Sequence, residues 1–325
     1  MSPNPPKLLV LVGPTAVGKT EVAFHVALAL KAEIVSADSR LVYRHMDIGT
    51  AKPDRRMQDQ VPHHLIDLVE PDQQYTSKQY ERDARQAVAG ILARGKVPLV
   101  VGGTGLYVRA LLEGIFEGPA ADPAARRRLL ETARLEGKAA LWRRLLEVDP
   151  EKASRTDPEN LPRVARALEV FEATGPRMSD LEKTRQPLGL PVAKIGLARA
   201  RQELTSLIGR RVEEMLNLGL LDEATSLVRM GYGESPVVKN SLGYQEVLSH
   251  LAGEISLERA RDLIKQHTRL FAKRQMTWFR KEPDLTWMDL TGRSDPQDIA
   301  AEVCSLYHQS GLSKDDHAPG LIESR

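Results

Sequence analysis

The sequence of 325 residues predicts an α/β fold with a parallel sheet, an inserted all-helical domain and further helices towards the C-terminal end. Three observations support this prediction. In the N-terminal part of the chain, short apolar runs alternate with segments of helical periodicity, as in proteins whose parallel strands are joined by helices. Between Asp122 and about Lys183 the strand-like runs disappear, and one returns at Val192–Ala198 (VAKIGLA). A helical block between two strand-containing blocks indicates an insertion into the sheet domain.

The elements of the first block follow from local signals. Leu8–Val12 (LLVLV) is apolar throughout, which is typical of a central parallel strand that is covered on both faces. Gly95 is expected to end the predicted helix Ser77–Arg94, because glycine readily adopts the left-handed conformation that terminates helices. The other strands predicted here are Glu33–Ala37, His64–Val69 and Val97–Val101, and the helices are Thr20–Leu30 and Ser77–Arg94.

Changes of pattern divide the chain. We predict the first part of the core at residues 1–121, a helical insertion at 122–189, the second part of the core with C-terminal helices at 190–310, and a disordered tail at 311–325. The predicted helices of the insertion are Asp122–Glu136, Lys138–Val148 and Asn160–Thr174. Asp-Pro pairs separate the second from the third, and a Gly-Pro pair follows the third; such pairs interrupt helices. Later helices are predicted at Gln202–Leu218, Leu220–Met230, Gln245–Leu251 and Ser256 to about Lys281, with a short strand at Trp287–Leu290.

The composition limits the class of protein. Hydrophobic residues make up 42% of the chain and charged residues 28%, the balance of a globular protein with an apolar core. Because Cys304 is the only cysteine, an intramolecular disulfide and a cysteine-based zinc site are excluded. No run of about 18 apolar residues occurs, so we expect no membrane span, no secretory signal and a cytoplasmic location. The net charge of +2 does not require a polyanionic partner, so any nucleic-acid site must follow from where the charges lie.

A phosphate-binding loop follows the first predicted strand. The run GPTAVGKT fits the pattern G-x-x-x-x-G-K-[ST], with the strand before it and the helix after it that the pattern requires. Backbone N–H groups and a helix N-terminus face the phosphates in such loops. Lys19 adds a positive charge, and the hydroxyl of Thr20 is placed to bind Mg²⁺. The core is therefore predicted to be P-loop NTPase-like and to bind a di- or triphosphate through Gly13, Pro14, Thr15, Ala16, Val17, Gly18, Lys19 and Thr20.

Two aspartates are candidates for a role beside the phosphates. Asp38 follows the predicted strand Glu33–Ala37, and the carboxyl ends of parallel strands form the crevice that also holds the phosphate loop. Because a carboxylate there repels a diphosphate, we expect Asp38 to serve a nucleophile's proton or the metal; the alternative is a helix N-cap. Asp67 lies in the shorter, polar-flanked strand His64–Val69, so it is either a metal-assisting acid or an ordinary strand-end or capping aspartate.

Eight runs in the sequence resemble one family over roughly residues 7–290. They are GPTAVGKT, SADSRLVYRHMDIGTAKP (Ser36–Pro53), VPHHLID (Val61–Asp67), PLVVGGTGLYVRALLEG (Pro98–Gly114), ADPAAR (Ala121–Arg126), PRVARALEVFEATG (Pro162–Gly175), SLGYQE (Ser241–Glu246) and AKRQMTWFRKE (Ala272–Glu282). In these runs, which occur in the order of the family, the chain resembles the bacterial tRNA dimethylallyltransferases, also called isopentenyl-diphosphate:tRNA transferases.

The resemblance implies transfer of a dimethylallyl group from dimethylallyl diphosphate to N6 of the adenosine 3′-adjacent to the anticodon of a tRNA. Asp38 then acts as the general base for the N6 proton. Lys19 and Mg²⁺ held by Thr20 stabilise the charge of the leaving diphosphate, and Thr104 binds the bridging oxygen or the nearby tRNA. Arg211 matches an arginine of the family and is expected to be a second diphosphate clamp, with a solvated helix charge as the alternative.

Basic residues indicate where RNA binds. Four of them recur at every fourth position of the long late helix and form one stripe, Arg261, Lys265, Arg269 and Lys273. Because like charges at this spacing repel each other, a phosphate backbone is the expected counter-charge and a solvated face the alternative. We expect tRNA contacts from Lys265, Arg269 and Lys273, and the resemblance adds Asp38, Ser39, Arg40, Leu41, Thr104, Arg126, Pro162, Arg163, Val164, Ala165 and Arg166.

Two other functions fit part of the sequence. A P-loop kinase of a small metabolite would explain the phosphate loop but not the basic stripe. A nucleotide-dependent RNA-binding protein without covalent chemistry would leave Asp38 and Gly102–Gly105 without a role. We therefore expect a prenyltransferase of the resembled family, with dimethylallyl diphosphate and a tRNA anticodon stem-loop as partners, Mg²⁺ as cofactor and a monomeric state.

Overall fold

The computed structural model describes residues 8–119 and 122–310, and within them the strands form one parallel sheet. The strand order is β3-β2-β4-β1-β5-β6. This parallel α/β architecture confirms the predicted fold class. The strands are β1 (Leu8–Val12), β2 (Glu33–Ser36), β3 (His63–His64), β4 (Pro98–Gly102), β5 (Val192–Ala198) and β6 (Thr286–Asp289).

Helices connect the strands and continue to the end of the described chain. They are α1 (Lys19–Leu30), α2 (Arg55–Gln60), α3 (Ser77–Ala93), α4 (Gly105–Glu113), α5 (Pro123–Glu136), α6 (Lys138–Val148), α7 (Pro150–Ser154), α8 (Leu161–Thr174), α9 (Met178–Glu182), α10 (Arg201–Asn217), α11 (Leu220–Arg229), α12 (Pro236–Lys239), α13 (Tyr244–Leu251), α14 (Leu257–Phe279) and α15 (Pro296–Gln309). The short helices α2, α7, α9 and α12 and the longer α4 and α15 were not predicted from the sequence.

β1 lies at the centre of the sheet, and its five residues are all buried. It pairs in parallel with β4 on one side and β5 on the other. Leu9 and Leu11, which point to one face of the sheet, share one core cluster with residues of α1 and α15, and the three residues that point to the other face are buried as well. Burial on both faces explains why this run carries no polar residue.

The chain divides into two compact units. One unit runs to Leu111 and resumes at Gly189, and the other is Leu112–Leu188. The second unit contains α5 to α9 around a core of small and aliphatic side chains such as Leu141, Leu145 and Leu168. Three of its helices carry proline at their first or second position, after an Asp or Asn N-cap whose side chain accepts a backbone N–H, a combination typical of helix starts.

One predicted strand is largely absent. The run His64–Val69 contributes only its first residue to β3, and Val69 forms an isolated bridge with Tyr43. Leu65 and Asp67 adopt left-handed φ values of 65° and 55°, which end the extended conformation. The apolar residues of the run therefore belong to a loop.

Two further expectations concern the ends of the chain and the membrane. The tail predicted as disordered, 311–325, lies outside the described residues. Within the described ranges, no helix combines the length and apolar character that crossing a membrane requires.

Candidate active site

The carboxyl ends of β1, β2 and β4 bring together three segments that are distant in sequence. β2, β4 and β1 are neighbours in the sheet, so the loops that follow them meet at one edge. A cleft of about 570 Å³ opens there. Predicted site residues that line it are Thr15, Lys19, Thr20, Asp38 and Arg211, together with Ser39, Arg40 and Leu41.

The phosphate loop curls tightly between β1 and α1. Ala16 and Gly18 adopt left-handed φ values of 64° and 105°, and Gly18 is the N-cap of α1. The Nζ of Lys19 donates to the carbonyl oxygens of Gly13 at 2.9 Å and Pro14 at 2.7 Å. Lys19 is therefore held against the predicted phosphate-binding loop.

Lys19, Arg211 and Asp38 interact electrostatically at the phosphate loop, in a cleft that Arg40 and Arg274 also line. Burial, together with the positive charge of Arg211, lowers the pKa of Lys19 from 10.5 to about 7, while Asp38 acts in the opposite direction. Burial also lowers the pKa of Arg211, again opposed by Asp38. Because an anionic ligand would supply the missing counter-charge, the cleft is suited to a phosphorylated compound.

Arg211 links the phosphate loop to a second wall of the cleft. Its Nη1 donates to Thr15 Oγ1 at 3.2 Å, and its Nη2 donates to the carbonyl oxygen of Thr50 at 3.5 Å. The side chain thus points into the cleft and not into solvent. This placement favours the predicted clamp over the alternative of a solvated helix charge.

Asp38 is held by its own turn. Its Oδ1 accepts the N–H of Arg40 at 2.8 Å, while Oδ2 has no hydrogen bond within the described residues. Thr104 lies behind this turn and does not line the cleft itself, but its Oγ1 accepts the N–H of Ser39 at 3.1 Å. One carboxylate oxygen is therefore fixed, and the other is available to a ligand.

Gln275 on α14 connects the phosphate loop with the turn after β4. Its Oε1 accepts the N–H of Thr15 at 2.8 Å, and its Nε2 donates to the carbonyl of Gly103 at 2.9 Å. A Cβ at Gly103 would overlap this amide, which explains the glycine. Sequence reasoning gave Gln275 no role, although it lies in the quoted run AKRQMTWFRKE.

Thr20 and Asp38 both line the cleft beside the phosphate loop. Mg²⁺ is commonly held in proteins by one or two side-chain oxygens, with water and substrate phosphates completing the shell. The described residues contain no group of three or more His, Cys, Asp or Glu placed to hold a metal ion. The hydroxyl of Thr20 and the carboxylate of Asp38 are oxygen donors of the kind that Mg²⁺ prefers.

The predicted RNA contacts of the helical unit separate into three kinds. Arg126 and Arg166 bind the buried carboxylate of Glu169, with nitrogen–oxygen distances of 2.9 Å and 2.5 Å. Val164 and Ala165 are completely buried in the core of the unit, so the prediction that their side chains contact tRNA is wrong. Their apolar side chains instead hold α8 in place. The exposed residues of this set are Pro162 and Arg163.

The basic stripe on α14 is divided by an acid from another helix. Glu213 on α10 accepts Lys265 at 2.6 Å and Arg261 at 3.5 Å. Arg269 and Lys273 are exposed, and no ion pair with them is found among the described residues. The expected counter-charge is thus supplied within the protein for one half of the stripe and is open for the other half.

Asp67 does not reach the cleft. Its Oδ1 accepts the buried ammonium of Lys52 at 2.6 Å, and Asp47 binds the same lysine. Asp67 does not appear among the residues that line the cleft. The structure therefore supports the reading of Asp67 as an ordinary loop aspartate with a structural ion pair.

The sheet and the loop after β1 define a P-loop NTPase-like α/β protein. Residues 41–282 match the IPP transferase family. The chain is 46% identical over 307 residues to the tRNA dimethylallyltransferase of Desulforudis audaxviator, covering 94% of this chain and 99% of that relative. The tRNA dimethylallyltransferase of Geobacter sulfurreducens is 43% identical over 291 residues, covering 89% and 94%. The chain belongs to the IPP transferase family.

Solved structures of similar proteins agree with this assignment. The tRNA isopentenylpyrophosphate transferase of Bacillus halodurans is 37% identical, with a TM-score of 0.68 over 94% of this chain and 98% of that chain. A eukaryotic dimethylallyltransferase acting on tRNA is 26% identical, with a TM-score of 0.78 over 97% and 82%. The predicted family and the prediction of an enzyme are confirmed, and neither the kinase nor the non-catalytic alternative is favoured.

Proposed function

We propose that this chain transfers the dimethylallyl group of dimethylallyl diphosphate to N6 of the adenosine 3′-adjacent to the anticodon of a tRNA and releases diphosphate. Family membership and the activities of the relatives support the reaction class. The roles of individual residues rest on one observation, the cleft lined by Lys19, Arg211 and Asp38. The positive charges of Lys19 and Arg211 can stabilise an anionic leaving group, and the carboxylate of Asp38 can accept a proton.

The diphosphate end of the substrate binds at the phosphate loop. Its oxygens face the backbone N–H groups of the loop and the N-terminus of α1. Lys19 and Arg211 lie on this side and stabilise the negative charge that develops as the carbon–oxygen bond breaks. Both side chains are held beside the loop by hydrogen bonds to loop residues.

Asp38 removes the proton that prenylation displaces. The N6 nitrogen attacks C1 of the dimethylallyl group, a nitrogen–carbon bond forms, and the carbon–oxygen bond to diphosphate breaks. The N6 proton passes to Asp38, whose Oδ2 is available while Oδ1 is fixed by Arg40. Such help matters because the N6 lone pair is delocalised into the ring, and a positioned base typically contributes about 10²–10⁴ in rate.

Thr20 would hold Mg²⁺ through its hydroxyl, and the metal when bound supplies positive charge to the diphosphate oxygens. The anticodon stem-loop of tRNA presents a loop base that can be unstacked at a cost of a few kcal/mol. Exposed Arg163, Arg269 and Lys273 are the side chains of the predicted set that suit its phosphates. The monomeric state and the cytoplasmic location stay predictions from the sequence.

Replacing Asp38 tests this function. Asp38→Asn keeps the acceptor for Arg40 but replaces the free oxygen by an amide, so the single-turnover rate of label transfer from radiolabelled dimethylallyl diphosphate to tRNA should fall about 100-fold or more. Affinity for tRNA should change little. Asp67→Asn is the matched control, because that aspartate lies outside the cleft. A near-normal rate in Asp38→Asn would contradict the general base, and phosphate transfer from γ-labelled ATP to a small molecule would favour a kinase.

A further inference from the structure

One wall of the cleft is a loop under conformational strain. Residues 47–51, here called the wall loop, contribute Gly49, Thr50 and Ala51 to the lining of the cleft. His45, just before the wall loop, and Ala51, at its end, adopt left-handed φ values of 64° and 51°. Such values are unfavourable for residues with a side chain and persist only where surrounding contacts hold them. The wall loop therefore depends on an anchor.

The anchor is the carboxylate of Glu223 on α11. Its Oε2 accepts the N–H groups of Asp47 at 2.9 Å and Ile48 at 2.8 Å, and its Oε1 accepts the N–H of Gly49 at 3.0 Å. Tyr244 donates its hydroxyl to the same Oε1 at 2.6 Å. Three successive backbone donors of the wall loop are thus satisfied by one ionised group, which makes stronger hydrogen bonds than a neutral acceptor.

The anchored loop reaches the diphosphate side of the cleft through Arg211. The carbonyl oxygen of Thr50 accepts Arg211 Nη2 at 3.5 Å, while Nη1 donates to Thr15 of the phosphate loop at 3.2 Å. Gly49 lies against the ring of Tyr244 so closely that a Cβ would overlap it. Displacement of the wall loop would therefore move the carbonyl that orients Arg211.

We propose that Glu223 is a positioning residue for the diphosphate end of the cleft, acting through the wall loop on Arg211. The proposal rests on the proposed function in taking Arg211 as a diphosphate ligand. Glu223 does not line the cleft. Among the described residues it forms no ion pair, and each of its hydrogen bonds goes to the wall loop or to Tyr244. Its carboxylate thus serves the backbone of the wall loop and the hydroxyl of Tyr244.

Glu223→Gln tests this role with little change of shape. Each carboxylate oxygen of Glu223 accepts two hydrogen bonds, and in the variant an NH₂ group replaces one of these oxygens. We expect the NH₂ group at the position of Oε1, because there it can donate to the hydroxyl oxygen of Tyr244. The hydrogen bond from Gly49 is then lost. We expect inorganic pyrophosphate, titrated calorimetrically with Mg²⁺ and without tRNA, to bind about tenfold more weakly, the equivalent of one charge-assisted hydrogen bond. Binding of tRNA should be unchanged.

Tyr244→Phe is the matched control for stability. It removes the fourth hydrogen bond of Glu223 and leaves the three bonds to the wall loop. The melting temperature should fall while pyrophosphate binding stays within twofold of the wild type. A general loss of stability without positioning would instead weaken pyrophosphate binding in both variants or in neither.

The double variant with Arg211→Ala decides whether the effect passes through that side chain. In the Arg211→Ala background, Glu223→Gln should change pyrophosphate affinity by less than twofold. A tenfold effect in both backgrounds would overturn the proposal, as would unchanged affinity in folded Glu223→Gln. If Glu223→Gln does not fold, Thr50→Ala takes its place, because Thr50 Oγ1 donates to Met46 at 2.6 Å and also holds the wall loop; unchanged pyrophosphate affinity there would overturn the proposal equally.

Failure of the proposed function gives a different result. A wild-type protein that transfers no prenyl label to tRNA would contradict the reaction, yet its pyrophosphate binding and the dependence of that binding on Glu223 would still be measurable. Prenyl transfer with pyrophosphate binding independent of Glu223 would contradict only the positioning role.

Discussion

Because the pKa of Lys19 is lowered, we expect binding of the diphosphate at the phosphate loop to depend on pH. Burial and the charge of Arg211 bring this pKa from 10.5 to about 7 in the free protein. Lys19 is then about half protonated at pH 7 and about one-tenth protonated at pH 8. A bound diphosphate favours the charged ammonium. Binding above pH 7 therefore takes up a proton, and below pH 7 it requires little uptake at this residue.

The magnitude follows from the titration. Each pH unit above 7 adds about 1.4 kcal/mol to the free energy of binding for as long as the bound form stays protonated. We expect the Kd of dimethylallyl diphosphate, measured with Mg²⁺ and without tRNA, to rise about tenfold from pH 8 to pH 9. The terminal phosphate of the ligand ionises near pH 6 by analogy with phosphate monoesters, so it contributes little in this range.

Isothermal titration calorimetry in two buffers of different ionisation enthalpy measures the proton uptake directly. Close to one proton per ligand should be taken up at pH 8 to 9. Lys19→Met is the control, because it keeps the length of the side chain without a titratable group; its weaker binding should lose the proton uptake. An affinity that stays constant from pH 7.5 to 9 in the wild type, without proton uptake, would refute the reasoning.

The same pKa shift has a consequence for stability. Between pH 7 and 10.5 the unfolded chain holds a proton on Lys19 that the folded protein lacks, so the contribution of this residue to stability becomes more favourable as the pH rises through that window. Below pH 7 the buried charge is unfavourable. Lys19→Met should therefore melt at the wild-type temperature or above it at pH 7, although it binds the diphosphate poorly.

Two further predictions concern α14. Gln275→Leu leaves the N–H of Thr15 and the carbonyl of Gly103 without their partner, so the free energy of unfolding in urea should fall by about 2–4 kcal/mol; Gln275→Ala, which opens room for water, should lose less if these groups are the cause. In the variant with Arg269→Ala and Lys273→Ala, the negative slope of log affinity for tRNA against log salt should decrease in magnitude by about 0.7–0.9 per lost contact. Arg261→Ala with Lys265→Ala should change that slope by one contact at most, because the single carboxylate of Glu213 already offsets one of these two charges; equal slopes in both variants would contradict the assignment.

Local signals were sufficient for most of the sheet and for the edge that holds the site. Strands β1 and β5 have the predicted bounds, because an apolar run followed by a turn has few alternatives in an α/β chain. Because ligands bind at the carboxyl ends of parallel strands, the sequence was sufficient to predict that Asp38 lies beside the phosphate loop. Helix α15 was missed although Asp295 and Pro296 form a recognisable helix start.

The partners of charged side chains could not be predicted in this way. Glu213 on α10 pairs with Lys265 on α14, and Glu169 on α8 pairs with Arg126 on α5; periodicity within one helix carries no information about a partner on another helix. The bond between Thr15 and Gln275 spans 260 residues of sequence. The burial of Val164 and Ala165 follows from which face of α8 packs inward, and a matching family motif does not distinguish an exposed face from a buried one.

The candidate site is assembled by side chains from the second half of the chain acting on backbone from the first half. Gln275 holds the phosphate loop to the turn after β4, and Arg211 links that loop to Thr50. These contacts form although the helical unit intervenes in sequence, because the ends of that unit meet: the N–H of Leu188 donates to the carbonyl of Leu112 at 2.9 Å. A unit whose two ends lie side by side can be inserted into the chain without displacing the elements that precede and follow it. Residues of α10 and α14, which follow the insertion, therefore line the same cleft as the loops after β1 and β2 and the end of β4.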